Sequence, residues 1–343
     1  MKKIFAAVLM LGAVLSAATC FAASSDFVIE NKVLVEYTGE DVYVEIPSSV
    51  QIIGQDAFRG NKTMENVKIP GSVKEIEANA FRRCRKLQTV TGMAATVGDY
   101  AFADCSDLND IPRMELAEEI GAHAFDGCRS LVTFTLGEDL KTIGASAFLD
   151  CSQLKTVTIP ASVEKIGSGA FMNCINLTTA KFQVDKNTGV SDIGERAFYN
   201  CRKLEKIEVP GSVLNIGPYA FAASGIYKAL IGKGVETIRS YAFANCKALE
   251  LVQIPDTVSK IYDHAFAECT ALTEVRLSGN TARIDATAFN GCTALEQPVP
   301  EATPQPSSEP QVTPKPAENP NQSFPIWNPD LIEAYRFMIS LES

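Results

Sequence analysis

The stretch Ile143-Gly144-Ala145-Ser146-Ala147-Phe148-Leu149-Asp150-Cys151-Ser152-Gln153-Leu154 decides the fold, because it returns as Ile166-Gly167-Ser168-Gly169-Ala170-Phe171-Met172-Asn173-Cys174-Ile175-Asn176-Leu177. Its alanine-phenylalanine pair occurs eleven times, from Ala57-Phe58 to Ala288-Phe289, at a spacing close to 23 residues. A repeat of this length is one supersecondary unit, and it hides its apolar side only by stacking on its neighbours. The chain of 343 residues therefore reads as one elongated solenoid rather than two or three globular domains. Function in such a protein resides on an extended repeated surface.

Each position in the unit has a physical task. After Ala147 come Phe148, Cys151, Leu154, Val157, Ile159, Pro160, Val163, Ile166 and Gly167, and the unit from Ala242 follows the same order. Leu154, Val157 and Ile159 have the spacing of a leucine-rich repeat, whose last three residues form a short strand. Alternation points Val157 and Ile159 inward and Thr156 and Thr158 outward. Successive strands are expected to form one parallel sheet at about 4.8 Å per rung. Pro70, Pro160, Pro210 and Pro255 end the strand, since proline lacks the donor that a ladder needs. Gly54, Gly121, Gly144, Gly167, Gly194 and Gly217 mark a turn requiring positive φ or close backbone approach. The Ala-Phe segment then becomes a short helical or 3-10 turn on the convex side, with Phe inside. Extra residues around Asp185 to Thr188 lengthen one unit and map to a loop at one edge.

The Ile-Gly-x-x-Ala-Phe-x-x-Cys-x-x-Leu pattern resembles the BspA-like leucine-rich repeats of bacterial surface proteins, over roughly residues 27 to 297. The resemblance implies an α/β-type solenoid, a right-handed superhelix. It also implies adhesion, with extracellular-matrix or cell-surface proteins as ligands. The segment Phe27 to Ile46 is similar to the start of many such domains and reads as a β-hairpin cap on the exposed end of the core.

Nine of the ten cysteines each stand three residues after a repeat Phe: Cys84, Cys105, Cys128, Cys151, Cys174, Cys201, Cys246, Cys269 and Cys292. Stacked side chains would point the same way, which conflicts with the perpendicular dihedral of a disulfide. A column of small buried thiols is the reading that fits. No histidine joins the column and no Cys-x-x-Cys pair occurs, so it is a poor metal site.

The ends are of different composition. Lys2 and Lys3 precede the apolar run Ile4 to Leu15 and the small residues Ser16 to Ala23, which reads as a cleaved signal over residues 1–23. Cys20 as a lipidated residue fits poorly, because Ala17 and Thr19 stand where Leu and a small Gly or Ala are expected. The cap then covers 24–46 and the repeats 47–297; a Pro-rich linker follows over 298–327 and a short helix over 328–343, opened by Asn328 and Pro329. This tail is a docking peptide for an anchoring partner or a segment folding back on the solenoid. Loss of Lys2 and Lys3 takes the net charge from −10 to −12, which argues against nucleic acid or anionic lipid as partner.

Two surfaces are candidates for partner binding. Outward strand residues include Thr89, Thr91, Thr133, Thr135, Thr156, Thr158, Thr179, Lys206, Glu208, Glu274 and Arg276. A hydroxyl array of this kind can contact protein or glycan, although threonine also suits exposed strands by propensity alone. The residue before each repeat Ala varies while its framework does not, as in Tyr100, His123, Arg196, Tyr219, Tyr241 and His264, and tyrosine and arginine there have the chemistry of binding anchors. The two histidines, His123 and His264, lie six repeats apart, about 29 Å at the rung spacing, so no single catalytic centre holds both. Asp185, Asn187 and Gly189 echo a calcium loop without its later acidic ligands. No cofactor and no catalysis are expected. The leading expectation is a secreted or surface-displayed bacterial binding protein, with an envelope scaffold assembled through the tail as the alternative.

Overall fold

The computed structural model describes residues 24–296 except 112–113, 186–187 and 280–281. The expected signal, linker and C-terminal helix lie outside the described residues. Two antiparallel strands, Phe27–Glu30 and Val33–Tyr37, open the fold as a hairpin, shorter than the expected Phe27–Ile46, because Tyr43–Glu45 pairs in parallel with Asn66–Lys68 as the first strand of the stack. Tyr37 lays its ring on Phe58 at 5.1 Å between centroids, and Phe27 lies on Tyr37 at 5.0 Å. The hairpin thus continues the core of the repeats with its own aromatic side chains.

Each rung has three sides; the second and third are hydrogen-bonded from rung to rung along the stack, and the first along most of it. The expected strand forms the first side, as in Thr156–Ile159 paired in parallel with Thr179–Phe182. Val157 and Ile159 are buried and Thr156 and Thr158 exposed, as alternation requires. Pro160 follows immediately, and its carbonyl accepts the Val163 N–H at 3.1 Å to close the corner.

The expectation of one parallel sheet needs correction. The second side is a sheet of its own, in which eleven two-residue strands such as Thr142–Ile143 and Lys165–Ile166 continue from the N-terminal hairpin. Strands of two residues are too short for alternation to show in a sequence, and their partners lie a whole repeat away. The first side, in turn, is divided into a three-stranded and a six-stranded sheet. Thr133 and Thr135 fall in this interruption: residues 131–137 form no strand. The preceding rung has no strand over residues 109–111 either, only the single bridge of Asp110 to Thr89.

The third side carries the Ala-Phe pair and is a turn rather than a helix. Two residues of almost every rung, such as Ser146 at φ 54° and Asp150 at φ 57°, sit in the left-handed region. L-residues do not propagate a right-handed helix through such positions. The N–H groups turn outward along the stack: Ser146, Phe148 and Asp150 donate to the carbonyls of Ser168, Ala170 and Met172 at 2.7, 2.8 and 3.0 Å. Of the two 3-10 segments among the described residues, Met114–Leu116 alone lies within the repeats.

Phe58 to Phe289 form one ladder, with ring centroids 4.7–5.3 Å apart and planes within 16° of parallel. The glycines before each pair are there for close approach, not for positive φ. A Cβ added at Gly144 would stand 2.4 Å from the carbonyl carbon of Gly121.

The nine cysteines are free and buried, and each thiol donates to the carbonyl of the Phe in the preceding rung at 3.0–3.3 Å. The bond spans a full repeat, so spacing within one unit does not reveal it. Burial pushes the thiols of Cys105, Cys128, Cys151, Cys174 and Cys201 up, which removes the reactive thiolate. Cys292, at the end of the column, is 9% exposed against 0% for the others. Brief alkylation of native protein, followed by peptide mass spectrometry, is expected to mark Cys292 and to leave the other eight unlabelled until denaturant is added. Equal labelling along the column would contradict a closed interior.

Candidate binding surface

The outward strand residues lie on the first side of the stack. Thr156 is adjacent to Thr179 across the ladder, and Thr158 to Lys181. Thr89 and Thr91 lie in the separate three-stranded sheet, next to Asn66 and Lys68. Farther along, the charges pair within their own strands: Lys206 Nζ is 3.3 Å from Glu208 Oε1, and Arg276 Nε is 2.5 Å from Glu274 Oε1. These side chains are about half exposed or more, so solvent reduces each pair to a small contribution. The sheet face is a polar surface on which some of the charges are paired with each other.

The third side is organised differently. The residue before the repeat Ala and the residue after the repeat Phe are three apart on one turn, and in many rungs one of the two is large and the other small. Where Ala103, Ala222, Ala244 and Ala267 follow the Phe, the earlier position holds Tyr100, Tyr219, Tyr241 and His264. Where Leu149 and Met172 follow, it holds Ser146 and Gly169. Three further rungs fill the space with a polar pair, Asp56 with Arg59 at 3.1 Å, Asn79 with Arg82 at 3.2 Å and His123 Nδ1 with Asp126 at 2.9 Å. The alanines are buried, with Tyr199, Tyr219 and Tyr241 packed against them.

Adjacent rungs bring these side chains into register. The Arg196 guanidinium lies 4.8 Å over the Tyr219 ring, Tyr219 stacks on Tyr241 at 4.8 Å, and Tyr241 stacks on His264 at 4.8 Å. A shorter run repeats the order nearer the N-terminus, with Arg82 over Tyr100 at 5.1 Å and Tyr100 on His123 at 4.6 Å. Beside the longer run, Arg239 lies 4.9 Å over Tyr262 and donates to its hydroxyl at 3.0 Å. The ring faces are used in stacking, and what meets solvent is a row of edges and polar tips. Burial raises the Tyr219 hydroxyl above its ordinary range, with neighbouring Tyr241 adding to it, so the tip is a neutral donor near pH 7. Burial likewise raises the Asp126 carboxyl, against the opposing pull of His123.

Tyr100, Tyr219 and Tyr241 therefore stand at the surface but are half-buried and fixed from both sides. Sequence reasoning singled out Tyr100, His123, Arg196, Tyr219, Tyr241 and His264 one by one from their shared position and missed Arg239 and Tyr262. What it lacked was the cross-rung stacking that joins them into runs. His123 and His264 close the two separate runs, and the thiol nearest His123 in sequence, Cys128, faces the core and donates to Phe102 O.

The sequence pattern of the BspA type leucine-rich repeat region matches residues 36–111, 92–190 and 183–296, in six copies. The chain belongs to the BspA-type leucine-rich repeat family. Among solved structures, this BspA-type protein is similar to a leucine-rich cell surface protein of Faecalibacterium prausnitzii, with 26% identity, 78% of this chain and 91% of that chain covered and a TM-score of 0.43. It is also similar to a leucine-rich repeat protein of Bacteroides ovatus, with 23% identity, coverage of 80% and 78%, and a TM-score of 0.47. A Treponema pallidum leucine-rich repeat protein matches at 22% identity, with coverage of 66% and 90% and a TM-score of 0.41. No curated protein matches the chain. Family membership makes this BspA-type chain a repeat-based binding protein. Among its described residues no helix is long and apolar enough to cross a membrane.

Proposed function

We propose that this BspA-type protein is exported to the cell surface or medium and acts as an adhesin-like binder of a protein on a host or microbial surface, through the third side of its stack. The leader-like sequence of residues 1–23 and the resemblance to surface repeat proteins support export and adhesion. The observation that carries the choice of surface is the run Arg196, Tyr219, Tyr241 and His264. Tyrosine and arginine are the residues that most often dominate binding energy at protein interfaces. Here they are held in place before any partner arrives, so little side-chain entropy remains to be lost on association. The threonine-rich sheet face has no comparable anchors.

Retention of labelled full-length protein on extracellular-matrix and bacterial surface fractions tests this. Changing Tyr219 and Tyr241 together to serine is expected to lower affinity by about 30-fold or more, the scale of an interface hot spot of about 2 kcal/mol. Changing Thr156 and Thr158 to lysine is expected to leave it within about threefold, with circular dichroism confirming the fold of both variants. The opposite pattern would move the binding surface to the sheet face.

A further inference from the structure

The tyrosine run presents a partner mainly with hydrogen-bond donors. The Tyr219 and Tyr241 side chains are half-buried, and among the described residues neither hydroxyl has a hydrogen-bond partner. Beside them, the Arg239 guanidinium spends one N–H on the Tyr262 oxygen, which leaves that phenol's own proton to donate elsewhere. Arg196 brings further N–H groups at the head of the row. The carboxylates nearby are engaged. Glu195 pairs with Arg196, and Asp263 accepts the Ser240 hydroxyl and lies 3.5 Å from His264 Nδ1.

The spacing of the row is as regular as its chemistry. Tyr219 to Tyr241 and Tyr241 to His264 are both steps of 4.8 Å, with ring planes within 4° of parallel. Two such steps come close to the about 9.3 Å that a polyproline II helix advances in one turn of three residues. An extended strand repeats every ~6.7 Å and an α-helix every ~5.4 Å, so neither keeps step with the rungs. Side chains on alternate rungs would therefore face equivalent carbonyls of a polyproline II ligand running along the stack.

We propose that the row receives a proline-rich segment of a partner protein, held in polyproline II conformation with its carbonyls on the tyrosine tips. Proline has no N–H, so such a segment offers acceptors where the row offers donors. Its backbone makes no internal hydrogen bonds, which leaves every carbonyl available. The pyrrolidine rings would lie against the tyrosine edges, in keeping with the aromatic surfaces on which proline-rich segments dock. Stacking orders one partner beforehand and a fixed φ orders the other, so association costs little conformational entropy. The inference rests on the third side being the binding surface, and it names what that surface binds.

Fluorine NMR of full-length protein labelled with 3-fluorotyrosine tests the proposal with acetyl-nonaproline-amide, the resonances being assigned from Tyr219→Phe and Tyr241→Phe. The peptide is expected to shift both tyrosines in a saturable way. A Gly-Ser peptide of the same length has the carbonyls without the fixed φ, and it is expected to bind at least tenfold more weakly. The double variant of Tyr219→Phe with Tyr241→Phe keeps the rings and their stacking and loses the two donors. Calorimetry should find nonaproline about tenfold weaker on it. Equal binding of the two peptides, no saturable shift at either tyrosine, or an unchanged affinity in the double variant would each overturn the proposal. So would a glucose hexasaccharide that shifts these resonances where nonaproline does not, since the row would then belong to a glycan. Retention on surface fractions that depends on Tyr219 and Tyr241, with no binding of nonaproline, would end this inference and leave the surface standing. Retention that ignores both tyrosines would remove the surface itself.

Discussion

Phe148→Ala is expected to cost about 3–5 kcal/mol, measured by guanidinium unfolding followed by circular dichroism. The ring is fully buried and stacked on Phe125 at 5.3 Å and Phe171 at 5.2 Å, with Phe134 against it at 4.7 Å. Cross-rung hydrogen bonds hold the backbone on either side, so the stack cannot collapse into the space left behind. In a quasi-one-dimensional array each unit is held by its neighbours, and weakening a central interface separates the cooperative unit into two. The variant should therefore unfold in two steps. Phe289→Ala is the control, because that ring stacks on Phe266 at 5.0 Å, ends the ladder and is only partly buried. A loss at Phe148 no larger than at Phe289 would show that the ladder is not what joins the rungs.

Gly144→Val is the second large effect, about 3 kcal/mol or more. The clash is with backbone: the added Cβ would lie 2.4 Å from the Gly121 carbonyl carbon and 2.6 Å from the Ala122 nitrogen. No rotamer relieves it, and the rungs would have to move apart against the bonds that join them. Ala145→Val, one residue along at an exposed position, is expected to stay within about 0.5 kcal/mol. Hydrogen exchange resolves the two, since the Gly144 variant should lose protection in both adjoining rungs. Unchanged protection would mean that this column does not set the rung spacing. Glu77, Arg239, Tyr262 and Asp285 hold the equivalent position in other rungs, so glycine is not required there along the whole stack.

Most of the interior could be read from the repeat. Phe148, Cys151, Val157 and Ile159 were assigned inward from one unit, and all are buried, as are Leu154 and Ile166 of the same pattern. A residue that recurs at one position of each unit packs against copies of itself, so its environment is set by its own identity. The corner at Pro160 follows from a missing donor in the same way. Less could be read where structure depends on length or on a neighbour. The two-residue strands escaped notice because two residues show no period. Thr133 and Thr135 were placed on a strand by analogy with Thr156 and Thr158, and the interruption that removes them begins in the rung before. The longer unit was legible as a loop, while the isolated antiparallel bridge of Asp185 and Thr188 was not.

For the candidate surface the division is the same. Tyr219 and Tyr241 could be named from their variable position, but their rigidity comes from stacking on residues a full repeat away and from the alanines that make room beneath them. The sequence alone determined the solenoid, its period and its buried columns, because those depend on relations among like residues at a constant spacing. Only the tertiary structure decided where the sheets break, which turns carry left-handed backbone, and which unlike side chains become neighbours. Those outcomes depend on contacts between positions that differ from rung to rung, and no single unit contains both partners.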